Sequence, residues 1–248
     1  MKHAPIYLIV LVTLALAGCK GCEDTPVPLD VDAQRIVSLR TSVESNSRVT
    51  TYTYDAQGRI ILEKWTPLEG PSLFPDTDTS YVTYRYETDR VVKTTTLQPG
   101  DRVQPETILP LNAQGYYSPQ TAVYTYSPDG YRTSITAMDS TGQVLFSETY
   151  TYQDGNLIQR VYESGTLPAP LVYTYEYDLT RQSTVESQHF GQAFMGRGNQ
   201  HVLMRSFVGG SPLHTYAYEY DAQGRVIRKV ENPDTDFFVE MRYVYAEE

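Results

Sequence analysis

The feature that most constrains this chain is a six-residue string that occurs twice, Tyr54-Asp55-Ala56-Gln57-Gly58-Arg59 and Tyr220-Asp221-Ala222-Gln223-Gly224-Arg225. Each copy ends a run of alternating tyrosines, Tyr52/Tyr54 and Tyr216/Tyr218/Tyr220. A period of two places those rings on one face of a β-strand. The Asp side chain accepts backbone N–H bonds at the start of a turn. The Gly three residues later supplies the left-handed conformation that closes a type I turn with a bulge. The alternating residues that follow, Arg59 to Glu63 and Arg225 to Arg228, read as the returning strand. Each string therefore specifies a β-hairpin.

Weaker echoes fill the space between the copies. They include Asn112-Ala113-Gln114-Gly115, Ser127-Pro128-Asp129-Gly130, Asp139-Ser140-Thr141-Gly142 and Gln153-Asp154-Gly155. Tyrosine pairs at Tyr84/Tyr86, Tyr124/Tyr126, Tyr150/Tyr152 and Tyr243/Tyr245, with the trio Tyr173/Tyr175/Tyr177, complete the set. With short connections, successive hairpins become neighbours in space. The expected fold class is all-β: one long antiparallel β-meander of successive hairpins forming a curved, unclosed sheet over residues 34–248. Residues 187–214 interrupt the pattern with His189, His201, His214, Phe190, Phe194 and Met195. They predict a loop and short helix covering one face of the sheet, since an open meander leaves apolar surface that needs a cover.

On these residues the chain resembles the YD-repeat (RHS) family, whose units carry a Tyr-Asp-x-x-Gly-Arg core. It is also similar to open-sided, tyrosine-rich β-meander lipoproteins of unknown function. The resemblance spans residues 35–248 and implies a curved sheet without a closed shell. Tyr177-Asp178-Leu179-Thr180-Arg181 departs from the core by lacking its Gly.

The N-terminus reads as an export signal. Lys2 precedes an apolar run, Ile6 to Ala17, of 12 residues. That is too short to span a bilayer, which takes about 20, and it suits a signal peptide. Leu16-Ala17-Gly18-Cys19 follows and resembles the lipobox of bacterial lipoproteins, which implies lipidation of Cys19. Residues 1–18 are then signal, 19–33 a tether and 34–248 the domain. Lys20, where an inner-membrane retention signal often has Asp, implies an outer-membrane lipoprotein, periplasm-facing or surface-exposed. Its membrane partner is reached through the lipid. A modified Cys19 leaves Cys22 without a CxxC partner.

The net charge of −10 becomes −11 when Lys2 is removed with residues 1–18. That balance speaks against nucleic acid, whose phosphates need a basic footprint. Tyrosine dominates the aromatic content, 22 against seven Phe and one Trp. Tyr suits a half-buried pleated surface, with the ring packed and the hydroxyl in water. The candidate binding surface is therefore aromatic: Tyr52, Tyr54, Trp65, Tyr84 and Tyr86, a platform on which sugar rings could stack. Cross-strand pairing that stabilises the sheet explains the same rings. No catalytic, metal or cofactor signature is present in the sequence. His189, His201 and His214 match no zinc template. Pro75-Asp76-Thr77-Asp78 and Pro233-Asp234-Thr235-Asp236 lack the remainder of a calcium loop. The expectation is a non-enzymatic, lipid-anchored binding or scaffold module with glycans or envelope proteins as partners. Two alternatives stay open: a carbohydrate-binding lipoprotein of a polysaccharide-uptake system, and a glycan-active enzyme with an unrecognised site.

Overall fold

The computed structural model describes residues 35–43, 46–68, 79–98, 100–235 and 237–246. Cys19, Cys22, the tether, the Pro75–Asp78 loop and Asp236 lie outside the described residues. Sixteen strands join in one antiparallel sheet, the unclosed meander that the repeats predict. The chain enters that sheet in its middle. β1 (Ile36–Val43), β2 (Asn46–Tyr54), β3 (Ile60–Pro67), β4 (Ser80–Tyr86) and β5 (Arg90–Leu97) step outward to one edge. There the short β6 (Arg102–Val103) and β7 (Thr107–Pro110) both pair with β5. The chain then crosses to the far edge at β8 (Ala122–Tyr126). It steps back through β9 (Arg132–Met138), β10 (Val144–Gln153), β11 (Asn156–Ser164) and β12 (Leu171–Gln182). β13 (His201–Val208), β14 (Ser211–Tyr220), β15 (Val226–Glu231) and β16 (Val239–Tyr245) complete the path, and β16 zips against β1 from Ser38↔Val244 to Val43↔Val239.

The repeated string builds its turn by local chemistry. Asp55 Oδ1 accepts the N–H groups of Gln57 at 3.0 Å and Arg59 at 2.9 Å, and Arg59 Nε donates to Oδ2 at 2.8 Å. Asp221 repeats this with Gln223, Arg225 and the Arg225 Nε at 3.0, 2.8 and 2.7 Å. Asn112 and Asp139 form the same backbone pattern at two of the weaker echoes. Gly58 and Gly224 sit at φ 74° and 79°, which explains the glycine. The arginine has a second task. Its guanidinium lies over a ring of the next strand, Arg59 over Tyr86 at 4.4 Å and Arg225 over Tyr245 at 4.6 Å. Where the Gly is missing, after Asp178, no hairpin forms and β12 runs on for 12 residues.

Tyr54 of the first string, and one tyrosine in each of three further strands, have a role that differs from the one expected. Tyr54 donates its hydroxyl to the Ile36 carbonyl, Tyr177 to Leu157 at 2.9 Å, Tyr218 to Leu203 at 2.8 Å and Tyr245 to Val226 at 2.8 Å. In each case the acceptor lies at the start of the preceding strand. These are the hairpins β1–β2, β11–β12, β13–β14 and β15–β16, each joined by its turn at the other end. The hydroxyl thus fastens the end of the hairpin that no turn connects, rather than reaching water. Burial accordingly raises the hydroxyl pKa of Tyr177 and Tyr218. Phe would fill the same space but leave a carbonyl without this donor. Tyr218→Phe is expected to cost about 1 kcal/mol, the net worth of one such bond. Denaturant titration would show it as a lower midpoint at unchanged slope.

The tyrosine-bearing face carries the core. One cluster joins Ile36, Val202, Val226, Tyr243 and Tyr245, and a second joins Ile60, Val82, Tyr84, Val91 and Phe194. A smaller third group, Ala122, Ile135 and Ala137, lies under β8–β10. The sheet curls so that its edges approach through side chains. Tyr117, in the link between β7 and β8, meets Tyr124 edge-on at 5.4 Å and also packs against the second cluster. The opposite face mixes charged side chains with exposed apolar ones such as Val123 and Val244. Exposed Arg40 stands there, with the mid-strand ion pairs Arg205–Glu176 at 3.1 Å, Arg228–Glu240 at 2.8 Å and Arg242–Glu240. A lipid-facing band must be apolar, and one Arg at its centre costs about 2–4 kcal/mol. The mid-strand ion pairs on β12, β13, β15 and β16 break any such band there.

One boundary differs from the sequence reading. Residues 187–214 are not a single loop, because 201–208 and 211–214 belong to β13 and β14. The alternation of His201-Val202-Leu203 and Leu213-His214-Thr215 is strand periodicity, and β13 pairs with β12 on one side and β14 on the other. The insertion is residues 183–200, with two single 3-10 turns at Ser187–Phe190 and Ala193–Met195.

Candidate functional site

The insertion closes one end of the curled sheet. It connects β12 to β13 and bonds to the rim at widely separated points. Ile60 N–H donates to the Gly191 carbonyl at 3.2 Å, Tyr117 N–H to Phe194 at 2.9 Å and Arg197 N–H to Gly130 at 2.9 Å. Gln200 N–H reaches the Gly155 carbonyl at 3.1 Å, and Val226 N–H donates to Thr184 Oγ1 at 2.9 Å. The segment therefore touches the turns of β2–β3, β8–β9, β10–β11 and β14–β15, as well as the link before β8. We refer to it as the plug. Its two aromatic side chains point into the core: Phe190 meets Tyr52 edge-on at 5.3 Å, and Phe194 meets Tyr86 at 6.3 Å.

This contact corrects the expected binding platform. Tyr52, Tyr54, Trp65, Tyr84 and Tyr86 do share one face, grouped around Ile60, Val82 and Phe194. The plug packs on Tyr52, Tyr54, Tyr84 and Tyr86, and Arg48 lies over the Trp65 ring at 5.2 Å, so the group is a packed layer and not an open surface. Tyr84 is only 8% exposed and the other four are half-buried. Their polar atoms are also engaged. Buried Glu63 accepts from Tyr84 Oη at 2.8 Å, Gln192 Nε2 at 3.0 Å and Trp65 Nε1 at 3.2 Å. A carboxylate with three donors satisfies the requirement for burying a charged group. Gln192 comes from the plug, so Glu63 also fixes plug to sheet.

The three histidines of the insertion region lie apart. His189 is buried within the plug, His201 Nδ1 lies 2.9 Å from Asn156 Nδ2, and His214 Nδ1 lies 2.9 Å from Glu231. Among the described residues no three His, Cys, Asp or Glu side chains gather as a metal site.

Two hollows flank the plug, and neither is marked by any sequence motif. The first is a rim cleft of about 650 Å³, lined by Tyr116, Tyr131, Gln182, Gln188, Arg197 and His201 among others, with Asn199 and Gln200 beside them. It holds two rings and four side-chain amides, and no carboxylate lines it. Tyr116 stacks on Tyr126 at 4.7 Å, Tyr131 lies against Tyr152 at 4.8 Å, and Arg197 sits over the Tyr131 ring at 5.8 Å. Packed from behind in this way, the rings are held in place while Gln182, Arg197 and Gln200 stay exposed. The second hollow, about 340 Å³, is lined by Glu186, Lys229 and apolar side chains including Leu39, Phe190 and Met241. Burial pushes the Glu186 carboxyl up, against hydrogen bonds from Ser183 and Asn199 and the charge of Lys229. Burial also pushes the Lys229 ammonium down, against the charges of Glu186 and Glu231.

No protein-family model matches the chain, and no curated protein matches it. Solved structures do. A porin-like protein from Bacteroides uniformis is similar with a TM-score of 0.58 and 16% identity, covering 85% of this chain and 98% of its own. A porin-like protein from Bacteroides vulgatus gives 0.51 and 15%, covering 86% and 99%. At these identities the likeness is one of fold, and it extends over nearly the whole length of both Bacteroides proteins.

Proposed function

We propose that this protein is a lipid-anchored module of the bacterial envelope that binds a carbohydrate in the rim cleft and does not transform it. The cleft carries the reading. Rings present flat apolar surface to the C–H faces of a sugar, and side-chain amides each offer a donor pair and an acceptor to its hydroxyls. A lining of Tyr116, Tyr131, Gln182, Gln188, Asn199 and Gln200 supplies both, and its volume lies in the range of small-molecule sites. Glycosidases use two carboxyl groups flanking the bond they cleave, so a carboxylate-free lining favours binding over hydrolysis. Anchorage rests on the lipobox-like Leu16 to Cys19 and agrees with an outer face broken by mid-strand ion pairs. The YD-repeat likeness belongs to the same reading, as a family of hairpins stabilised by one Tyr-Asp turn. The envelope setting is supported by the fold shared with porin-like proteins.

The test has two arms. Cys19→Ser is expected to abolish incorporation of labelled fatty acid and to move the protein from membrane to soluble fractions. Unchanged fractionation would overturn the anchor. On a glycan array, the purified protein is expected to retain a defined set of glycans, and Arg197→Ala or Gln182→Ala to weaken that binding at least tenfold, about 1.4 kcal/mol. Binding indifferent to both changes would remove the cleft. Released oligosaccharide that disappears on mutating one carboxylate would instead establish an enzyme.

A further inference from the structure

The second hollow brings an acid and a base into one lining from separate elements. Glu186 comes from the plug, where Ser183 Oγ donates to its Oε1 at 3.1 Å and Asn199 also hydrogen-bonds its carboxylate. Gly198 packs directly over it, so closely that a Cβ there would fall 2.3 Å from Oε2. Lys229 comes from β15, and its Nζ rests 4.8 Å from the centroid of the Tyr216 ring. Both groups line the 340 Å³ hollow, yet no ion pair within 4.0 Å joins them. Beside Ser183 and Asn199, which hold Glu186, the wall is apolar or aromatic, with Leu39, Phe190, Leu203 and Met241 among its residues.

Neither charge has a direct ionic partner in the other: Glu186 is held by hydrogen bonds from Ser183 and Asn199, and Lys229 by the Tyr216 ring and the charges of Glu186 and Glu231. Sheets bury such groups when they pair or when a ligand completes them. An acid and a base that share a lining without touching suit a molecule carrying opposite charges at one end and an apolar body at the other. We infer that the hollow binds a free α-amino acid with an aliphatic side chain, its ammonium on Glu186, its carboxylate on Lys229 and its side chain against Phe190, Leu39 and Met241. The charges match one to one. A volume of about 340 Å³ leaves room for such a solute and lies within the range of small-ligand sites. The site is distinct from the rim cleft, so it stands whether or not that cleft binds sugar.

Isothermal titration of the mature protein with L-leucine tests this, with 4-methylpentanoate lacking the ammonium and isoamylamine lacking the carboxylate as paired probes. The expected result is saturable binding of leucine, with each analogue at least tenfold weaker on the unaltered protein. Glu186→Gln keeps the contacts to Ser183 and Asn199 and Lys229→Met keeps the stem. Each is expected to weaken leucine at least tenfold while glycan retention at the rim is unchanged. Leu39→Trp, which fills the hollow without touching either charge, is expected to block leucine as well. No heat from leucine up to roughly 10 mM, weaker than any useful site, would mean a hollow occupied by water only and would overturn the inference. So would analogues binding as well as leucine, or Glu186→Gln binding it unchanged.

Discussion

Phe194→Ala is expected to destabilise the protein by about 3–5 kcal/mol, the usual cost of emptying a buried Phe site. For a domain of this size that is a fall in melting temperature of roughly 6–20 °C. Phe194 is 8% exposed and is the plug's contribution to the cluster of Ile60, Val82, Tyr84 and Val91. Those partners sit on β3, β4 and β5, so one ring ties a segment between β12 and β13 to the far half of the sheet. The substitution spares the backbone, and Tyr117 N–H keeps its bond to the residue 194 carbonyl. Met195, the adjacent residue, is 39% exposed and supplies the control. Met195→Ala should stay within about 0.5 kcal/mol. Equal losses from the two variants by calorimetry would show that the plug is not part of the cooperative core.

Gly191→Ala is expected to be nearly as damaging, for a different reason. Its φ of 68° is a left-handed conformation that costs a side chain about 1–2 kcal/mol. An added Cβ would also lie 2.7 Å from the Ile60 nitrogen and 2.9 Å from the Gly58 carbonyl oxygen. Both are backbone atoms of the β2–β3 turn, which cannot swing aside, and Ile60 N–H is the donor to the Gly191 carbonyl. Overpacking of this kind adds roughly 1–3 kcal/mol. Gly224 isolates the first contribution, since it has φ 79° and a methyl group added there would meet nothing within 4 Å. Gly224→Ala should therefore show the conformational cost alone, and Gly191→Ala distinctly more. If the two fall equally in denaturant midpoint, the plug yields at this contact and does not clamp the turn.

The part of the fold legible in the sequence is the part encoded locally. Asp55 and Asp221 form their turns with residues two and four positions on, so six letters suffice to specify them. The alternation of Tyr216, Tyr218 and Tyr220 likewise fixes a shared face. What that face meets is set at long range. Tyr84 resembles any tyrosine in the pattern until the plug folds over it, and its hydroxyl partner Glu63 lies on another strand. The platform failed for that reason: the same aromatic residues serve a core or an open surface, and only the cover distinguishes them. The two hollows were illegible for a related reason. Glu186 and Lys229 are unremarkable in their own segments, and the amides of the rim cleft carry no motif. One local signal does exist. Glu186 is the only acid in a stretch from Gln182 to Gln200 otherwise rich in Gly, Gln and aromatic residues, an unusual place for a charge.

The pairing of β1 with β16 has a consequence for the order in which the protein can be made. A ribosome or a secretion channel delivers the N-terminal strand first and the C-terminal strand last. β1 can pair with β2 at once, but its other edge has no partner until the residues up to Tyr245 have emerged. Throughout that interval the half containing β1–β7 exposes a row of unpaired N–H and C=O groups, a template for addition by other chains. The plug arrives late as well, so the aromatic layer on β2–β4 stays uncovered until residues 183–200 appear. Chains truncated before the plug are thus left with both faults at once, and those truncated between the plug and β16 keep the open edge of β1. β16 acts as a latch, and its arrival closes the open edge of β1 and completes the cluster around Ile36.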